Sequence, residues 1–328
     1  MSQNLPAGDL PVAIDRGVGI MQISLEQLVE LYCYHRVLRE ESCQSLRYSA
    51  RSVAKYLPPD AVNDIRLITR DMILKFRAEA LKTVRPASFN TYRMHMHVLF
   101  VLAVEEGWCA SNPLNRIDNV AVPSRKKKVL DPNAFAKILA YLSSRASFDS
   151  RVPFWTAVAK TLYYTGMRRR QLVGLQWRDV RLSEEIAILR VESSKTQREW
   201  AIPLSEEILP VLAGLRQRTI DVLGSAGSEA HVFNPKVCGN SRANRDFLNV
   251  REVTAYFHNL GRILGLAISP HRFRHTFATQ LANGGTNLKL VQQFLGHANI
   301  ATTCEYIEPD IGAMRRALAC LDKEDDKN

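Results

Sequence analysis

Helix-start and helix-stop signals punctuate almost the whole chain, and only one stretch, residues 187–204, switches to β patterning, so the fold must be mainly α with a small hairpin or sheet. Ser24 and Gln27 form a capping box ahead of Leu25, Leu28, Val29, Leu31 and Tyr32, which starts the first helix. Helical patterns continue over about 44–56, about 69–82 and from Ser88 to Glu106, where Val98, Leu99, Val101, Leu102 and Val104 are expected to face the core and Gly107 ends the helix. Residues 1–20 mix Gly, Pro and charge without periodicity and read as a flexible lead-in. Residues 21–118 are therefore expected to be a small helical bundle, its last helix followed by Asn112-Pro113.

Residues 119–130, with Pro123 and the run Arg125, Lys126, Lys127 and Lys128, read as an extended basic linker. Two readings stand for it, a solvated tether or a strap along a phosphate backbone. Asp131-Pro132 is expected to open a second domain, 131–328, as N-cap and first helical proline. A helix to about Ser143, an apolar helix ending at Tyr164, a Thr165-Gly166 turn and a helix over 168–175 follow. Strands Ala187–Val191 and Trp200–Leu204 make the hairpin. Helices are then expected over about 205–222, 246–264, from Ser269-Pro270 to Gly284-Gly285, and over Leu288–Leu295 up to Gly296. The acidic tail reads as solvated.

The formal net charge of +11 divides as +5 over residues 1–130 and +6 over 131–328. A polyanion touching both halves accounts for that distribution, since each neutralised phosphate releases counterions; a solvated basic surface is the alternative. No apolar run reaches the roughly 20 residues of a membrane span, and Asp9 and Asp15 stand where a signal peptide needs a basic head and an apolar middle. A cytoplasmic protein with no membrane partner is expected. The six cysteines, Cys33, Cys43, Cys109, Cys238, Cys304 and Cys320, have no zinc-type or disulfide-framework spacing.

Four segments of the second half bring cations, histidines and a tyrosine to the ends of elements. In Thr165-Gly166-Met167-Arg168 a glycine turn puts Arg168 at a helix start, where free N–H groups also favour an anion. Arg169 and Arg170 follow as solvent-facing or phosphate-positioning groups. Lys195 sits at the hairpin tip, either solvated or able to protonate a leaving alkoxide. In His271-Arg272-Phe273-Arg274-His275 the spacing of three puts His271 and Arg274 on one helix face, either as a phosphate pair or as an ordinary surface pair, with Arg272 assigned to the surface and His275 to the core. Finally Leu295-Gly296-His297 is followed nine residues later by Tyr306, which read alone fits a core tyrosine with its hydroxyl bonded better than a functional one.

Together, T-G-x-R, a hairpin lysine, HRFRHTFATQLANGG and LGHANIATTCEY resemble the tyrosine recombinase (phage integrase) family. The stretch SFNTYRMHMHVLFVLAVEEGWCASNP resembles, more weakly, the end of that family's helical, SAM-like core-binding domain. The resemblance implies a mixed α catalytic domain with a small β-hairpin or sheet, in a two-domain Cre/Xer-like architecture, since about 20 leading residues are too few for a lambda-type arm-binding domain. It implies that Tyr306 attacks a DNA phosphate and stays joined to its 3′ side. Arg168 and Arg274 would hold the non-bridging oxygens, His271 would accept a proton or bond the phosphate, His297 would donate to it, and Lys195 would protonate the departing oxygen.

A phenol with an ordinary pKa near 10 needs such cations and a base to become a nucleophile. No metal and no nucleotide cofactor is expected, because the phosphotyrosyl bond conserves the phosphodiester's energy. Arg125, Lys126, Lys127, Lys128, Arg169 and Arg272 are further candidate DNA contacts. The implied partners are duplex DNA carrying a recombination site and three further copies in a homotetramer, with a second recombinase or accessory protein as an open possibility. The role could be integration, excision, resolution or transposition. Ile311–Leu321 fits a helix passed between subunits or packed in cis. A type IB topoisomerase-like nicking-closing enzyme and a non-catalytic DNA-binding protein are the competing readings. Gln171 departs from the acidic residue the family places three positions after the first arginine.

Overall fold

The computed structural model describes residues 22–123, 128–190, 199–238 and 245–306. The chain divides into two compact units, Met1–Ser124 and Arg125–Asn328.

In the first unit, Ser24 Oγ accepts from Gln27 N–H at 3.2 Å and Gln27 Oε1 accepts from Ser24 N–H at 2.8 Å, so the expected capping box starts α1 (Leu25–His35). Helix α2 (Glu40–Ala54) begins four residues earlier than its pattern indicates. Arg39 offers no side-chain cap there, and Glu40 and Glu41 oppose the positive end of the helix dipole instead. The short α3 (Pro59–Asn63) and α4 (Arg70–Ala80), capped by Thr69, lead to α5 (Pro86–Glu105), which packs on α1 and α2.

The buried face of α5 is Phe89, Met96, Leu99, Phe100, Leu102 and Ala103, while Val104 is exposed and Val98 and Val101 are half-buried. That corrects the expected face. The apolar run allows several helical phases, and Phe89, Met96, Phe100 and Ala103, seven, four and three residues apart, set the one with the largest side chains inside. Gly107, at φ 74°, ends the helix as expected.

Both ends of the stretch read as a linker are fastened to their own unit. Asn90 bonds Val120 through N–H and C=O, both at 2.8 Å. On the other side, Leu130 N–H donates to Thr276 Oγ1 at 2.8 Å. Ser124, Arg125, Lys126 and Lys127 lie outside the described residues; Lys128 is exposed.

The second unit is built around α7 (Val152–Thr165), which buries Phe154, Val158 and Leu162 against α6 (Ala134–Arg145), α9 (Leu209–Leu223) and α11 (Pro270–Asn283). Asp131 is not the cap of α6; its carboxylate accepts from Asn133 N–H at 2.9 Å, closing a turn before the helix, and Asn133 takes the N-cap position. After α8 (Arg169–Gly174) come β1 (Val180–Arg181), β2 (Ile186–Leu189) and β3 (Trp200–Pro203), antiparallel in that order, with Leu189 opposite Trp200. Strand β1 has no counterpart in the sequence reading. Helix α9 starts at Leu209 rather than 205, after a turn at Ser205–Ile208. Helices α10 (Val250–Leu264), α12 (Leu288–Leu295) and α13 (Ala301–Cys304) complete the unit. Among the described residues no helix is long and apolar enough to cross a membrane.

Candidate active site

Two glycine turns set the site. Helix α7 ends on Gly166 at φ 59°, where a Cβ would overlap the Phe277 ring. Helix α12 ends on Gly296 at φ 57°, where a Cβ would overlap the Trp200 indole of β3. Only glycine combines that backbone conformation with such close approach. The first turn delivers Arg168, the second His297.

Arg274 joins them. It is 4% exposed, and it donates to Gly166 O at 2.8 Å through Nη1 and to Leu295 O at 2.6 Å through Nη2, so it ties both turns to α11. Nη2 also lies 3.0 Å from His297 Nε2. A guanidinium only donates, so that nitrogen of His297 accepts, and the ring proton sits on Nδ1, which donates to Thr303 Oγ1 at 2.9 Å. His297 is an acceptor in this arrangement, and donation to a phosphate needs a second ring proton.

Tyr306 is 4% exposed and packs on Ala278, Val291 and Leu295. Its ring lies nearly parallel to that of His297, with centroids 6.1 Å apart. Electrostatically its hydroxyl favours the charged forms of Arg274 and Arg168. Burial, together with repulsion from Arg168, pushes the Arg274 pKa down to about 9. Burial also lowers that of Arg168. Both remain cationic at neutral pH, and Arg168 Nη1 is buried without a hydrogen-bond partner among the described residues. Two like charges and an orphaned donor at one point describe a place for an anion.

His271 is exposed beside this pair; partial burial and the charges of Arg169, Arg274 and Arg168 lower its pKa. Arg168, His271, Arg274, His297 and Tyr306 are thus brought to one site. Lys195 lies outside the described residues, as does Ile311–Leu321. The Arg168 N–H is not left for an anion: it donates to Gln171 Oε1 at 2.7 Å. Gln171 is buried, so the position that departs from the family pattern supplies a neutral cap to the arginine's own backbone. Arg169 donates to Thr254 Oγ1 and Arg272 to Val129 O, which commits one N–H of each inside the unit.

Sequence reading missed one residue. His275, assigned to the core, lies on the same face as His271 and Arg274, and its Nδ1 is 3.1 Å from Tyr306 Oη. The spacing of four from His271 was the available signal.

The phage integrase family model matches residues 128–311. The chain belongs to the phage integrase family, the tyrosine recombinases. It is 30% identical over 310 residues to a protein of Pseudomonas syringae named a putative tyrosine recombinase XerC, covering 90% of this chain and 64% of that protein. It is 29% identical over 241 residues to tyrosine recombinase XerD of Pseudomonas aeruginosa, covering 73% and 77%. The chain therefore spans slightly less than two thirds of the first relative's length. Among solved structures, the Tn1549 transposon integrase in complex with transposon right-end DNA superposes with a TM-score of 0.71 at 19% identity, over 92% of this chain and 100% of that one. XerH recombinase bound to its difH substrate gives 0.66 at 18% identity, over 90% and 84%. At those identities the likeness is one of fold.

Proposed function

We propose that this chain is a site-specific DNA recombinase that cuts and rejoins duplex DNA through a 3′-phosphotyrosyl bond to Tyr306, exchanging strands by way of a Holliday junction. The observation that carries the reading is the crowding of Arg168 and Arg274 beside the Tyr306 hydroxyl. A phosphodiester between them relieves their repulsion, satisfies the orphaned Arg168 donor, and sets phosphorus next to the phenol. As Oη attacks, negative charge grows on the non-bridging oxygens, where two fixed guanidiniums stabilise it most. Lys195 is assigned the proton for the departing 5′-oxygen. His297 fixes Arg274 and, once doubly protonated, adds a third donor. Residues 21–118 are assigned as the core-binding DNA domain and 131–328 as the catalytic one. Duplex DNA is the partner, with a homotetramer as the working assembly in the cytoplasm.

The test uses a nicked suicide duplex cut from DNA flanking the gene. Wild type should accumulate a covalent adduct, in EDTA as without it, because the guanidiniums hold the phosphate. Tyr306→Phe should bind the same duplex and form none; an adduct in that variant would overturn the assignment.

A further inference from the structure

Helix α11 carries a second imidazole toward the site, and the chemistry above leaves it without a task. His275 Nδ1 is 3.1 Å from Tyr306 Oη, and the two ring centroids are 5.4 Å apart at an inclination of 46°. His271, one turn earlier, has instead Arg169, Arg274 and Arg168 as its charged neighbours, the last two being the pair assigned to the phosphate. The two imidazoles, with ring centroids 6.4 Å apart, thus address different parts of one reaction.

The proton inventory points the same way. Arg274, the buried cation beside Tyr306, is a donor only and offers the phenol's proton no acceptor. The phenol's own proton then requires an acceptor of its own. His297 Nε2 already accepts from Arg274. Nδ1 of His275 stands at hydrogen-bond distance and accepts when its ring proton is on Nε2.

We propose that His275 is the general base of strand cleavage, taking the Tyr306 proton through Nδ1 as Oη attacks phosphorus. This rests on the recombinase reading. The Oη–P bond forms and the P–O5′ bond breaks, its electron pair leaving with O5′. The phenolic proton moves to His275, and O5′ takes a proton from Lys195 under that same reading. Religation by an incoming 5′-hydroxyl reverses both transfers. The groups facing the new imidazolium are Tyr306 itself, His271 and Arg274 on α11, His297 beyond α12 and Arg168 before α8; the bound phosphate offsets the added positive charge. His271 is left to hydrogen-bond the phosphate.

Full-length His275→Asn sets an amide where Nδ1 lies, retaining a hydrogen-bond partner for Tyr306 but no site for its proton. On the nicked suicide duplex from flanking DNA, adduct formation should fall about 10²–10⁴-fold with DNA binding and folding unchanged, and free imidazole should restore part of the rate in His275→Ala. The acid limb of the rate against pH should lose one proton from its slope. A rate in His275→Asn within about threefold of wild type, or a fall that leaves the acid limb intact, overturns the proposal. In the free protein, the nitrogen-15 signal of His275 Nδ1 should be that of an unprotonated ring nitrogen and should move in Tyr306→Phe while those of His271 stay; a protonated Nδ1 overturns it. Wild type forming no adduct overturns the recombinase reading, whereas the nitrogen signal reads the pair without DNA, so the two failures are separable.

Discussion

The two compact units bury polar groups on different terms. In residues 22–123 each buried polar side chain is answered: Ser49 Oγ by His95 at 2.7 Å, the Asp64 carboxylate by Arg66, and Asn112 by His97 O and Leu114 N–H. In the second unit, Arg168 Nη1, Gln171 Nε2, Trp177 Nε1, Trp200 Nε1 and Gln292 Oε1 are buried without a partner among the described residues. All but Trp177 adjoin the site: Gln171 caps Arg168, Trp200 covers Gly296, and Gln292 Nε2 donates to His297 O at 2.9 Å. An unmet buried donor costs about 1–3 kcal/mol, and mutual repulsion of two guanidiniums adds to that. The first unit meets its buried polar groups internally, while the second leaves Arg168 Nη1 unmet beside a second guanidinium, two costs that the phosphate proposed above would relieve.

The strongest way to break this contrast is Arg168→Ala. Covalent attachment to DNA should fall about 10²–10³-fold, as when a transition-state donor is removed. Thermal unfolding should be unchanged or raised by about 1 kcal/mol, because the substitution deletes both an orphaned donor and a like charge. A variant that loses stability along with activity would show that Arg168 supports the fold, and the contrast would fail.

The same contrast predicts unequal costs for two glycines that end helices at positive φ. Gly107, at φ 74° in the first unit, has open space where a Cβ would go, so Gly107→Ala should cost about 1 kcal/mol for the backbone conformation alone. Gly166, at φ 59°, meets Phe277 as well, and Gly166→Ala should cost about 3 kcal/mol in thermal unfolding, with overpacking added to strain. Equal costs would mean that Phe277 moves freely and that the Arg168 turn is not locked.

Much of this arrangement is legible in the sequence, and what is not has physical reasons. Side-chain caps, Ser24 with Gln27 or Ser269 ahead of Pro270, mark helix starts, and Gly296 marks the end of Leu288–Leu295. Helix α2 lacks such a cap, so its start was lost. Strand β1 is two residues long, too short for a period to register. The α5 face was misphased because a continuous apolar run carries no phase of its own. At the site, the order of Arg168, His271, Arg274, His297 and Tyr306 was readable from motif and family resemblance. The bond from His275 to Tyr306 was not, because it joins residues 31 apart whose approach depends on how α12 and α13 fold back. For the same reason the acceptor state of His297 follows only from Arg274 lying beside it.

Inorganic phosphate sharpens the comparison without DNA. At about ten times its Kd it should stabilise the second unit by roughly 1.4 kcal/mol, read as slowed hydrogen exchange in α7, and leave α5 unchanged. Arg168→Ala should abolish the effect. Equal protection of both helices would mean that the anion is screening surface charge generally and is not filling the gap between the guanidiniums.

The smallest effect is on the pH dependence of stability. Burial lowers the pKa of His95 in the first unit and of His231 and His271 in the second, the last also through Arg169, Arg274 and Arg168. A lowered histidine pKa means that the unfolded chain takes up the proton first. The stability these imidazoles contribute is therefore complete above their unfolded pKa of about 6.5 and is lost as pH falls through the window below it. Both units should weaken on acidification, the second more. Phosphate should alter only the second, because an anion between Arg168 and Arg274 offsets the charges that keep His271 neutral, raises its proton affinity and so narrows the loss. Hydrogen exchange in α5 and α7 at neutral and mildly acidic pH, with and without phosphate, measures the difference. If phosphate reduces the acid loss equally in both units, His271 does not share a site with the two guanidiniums.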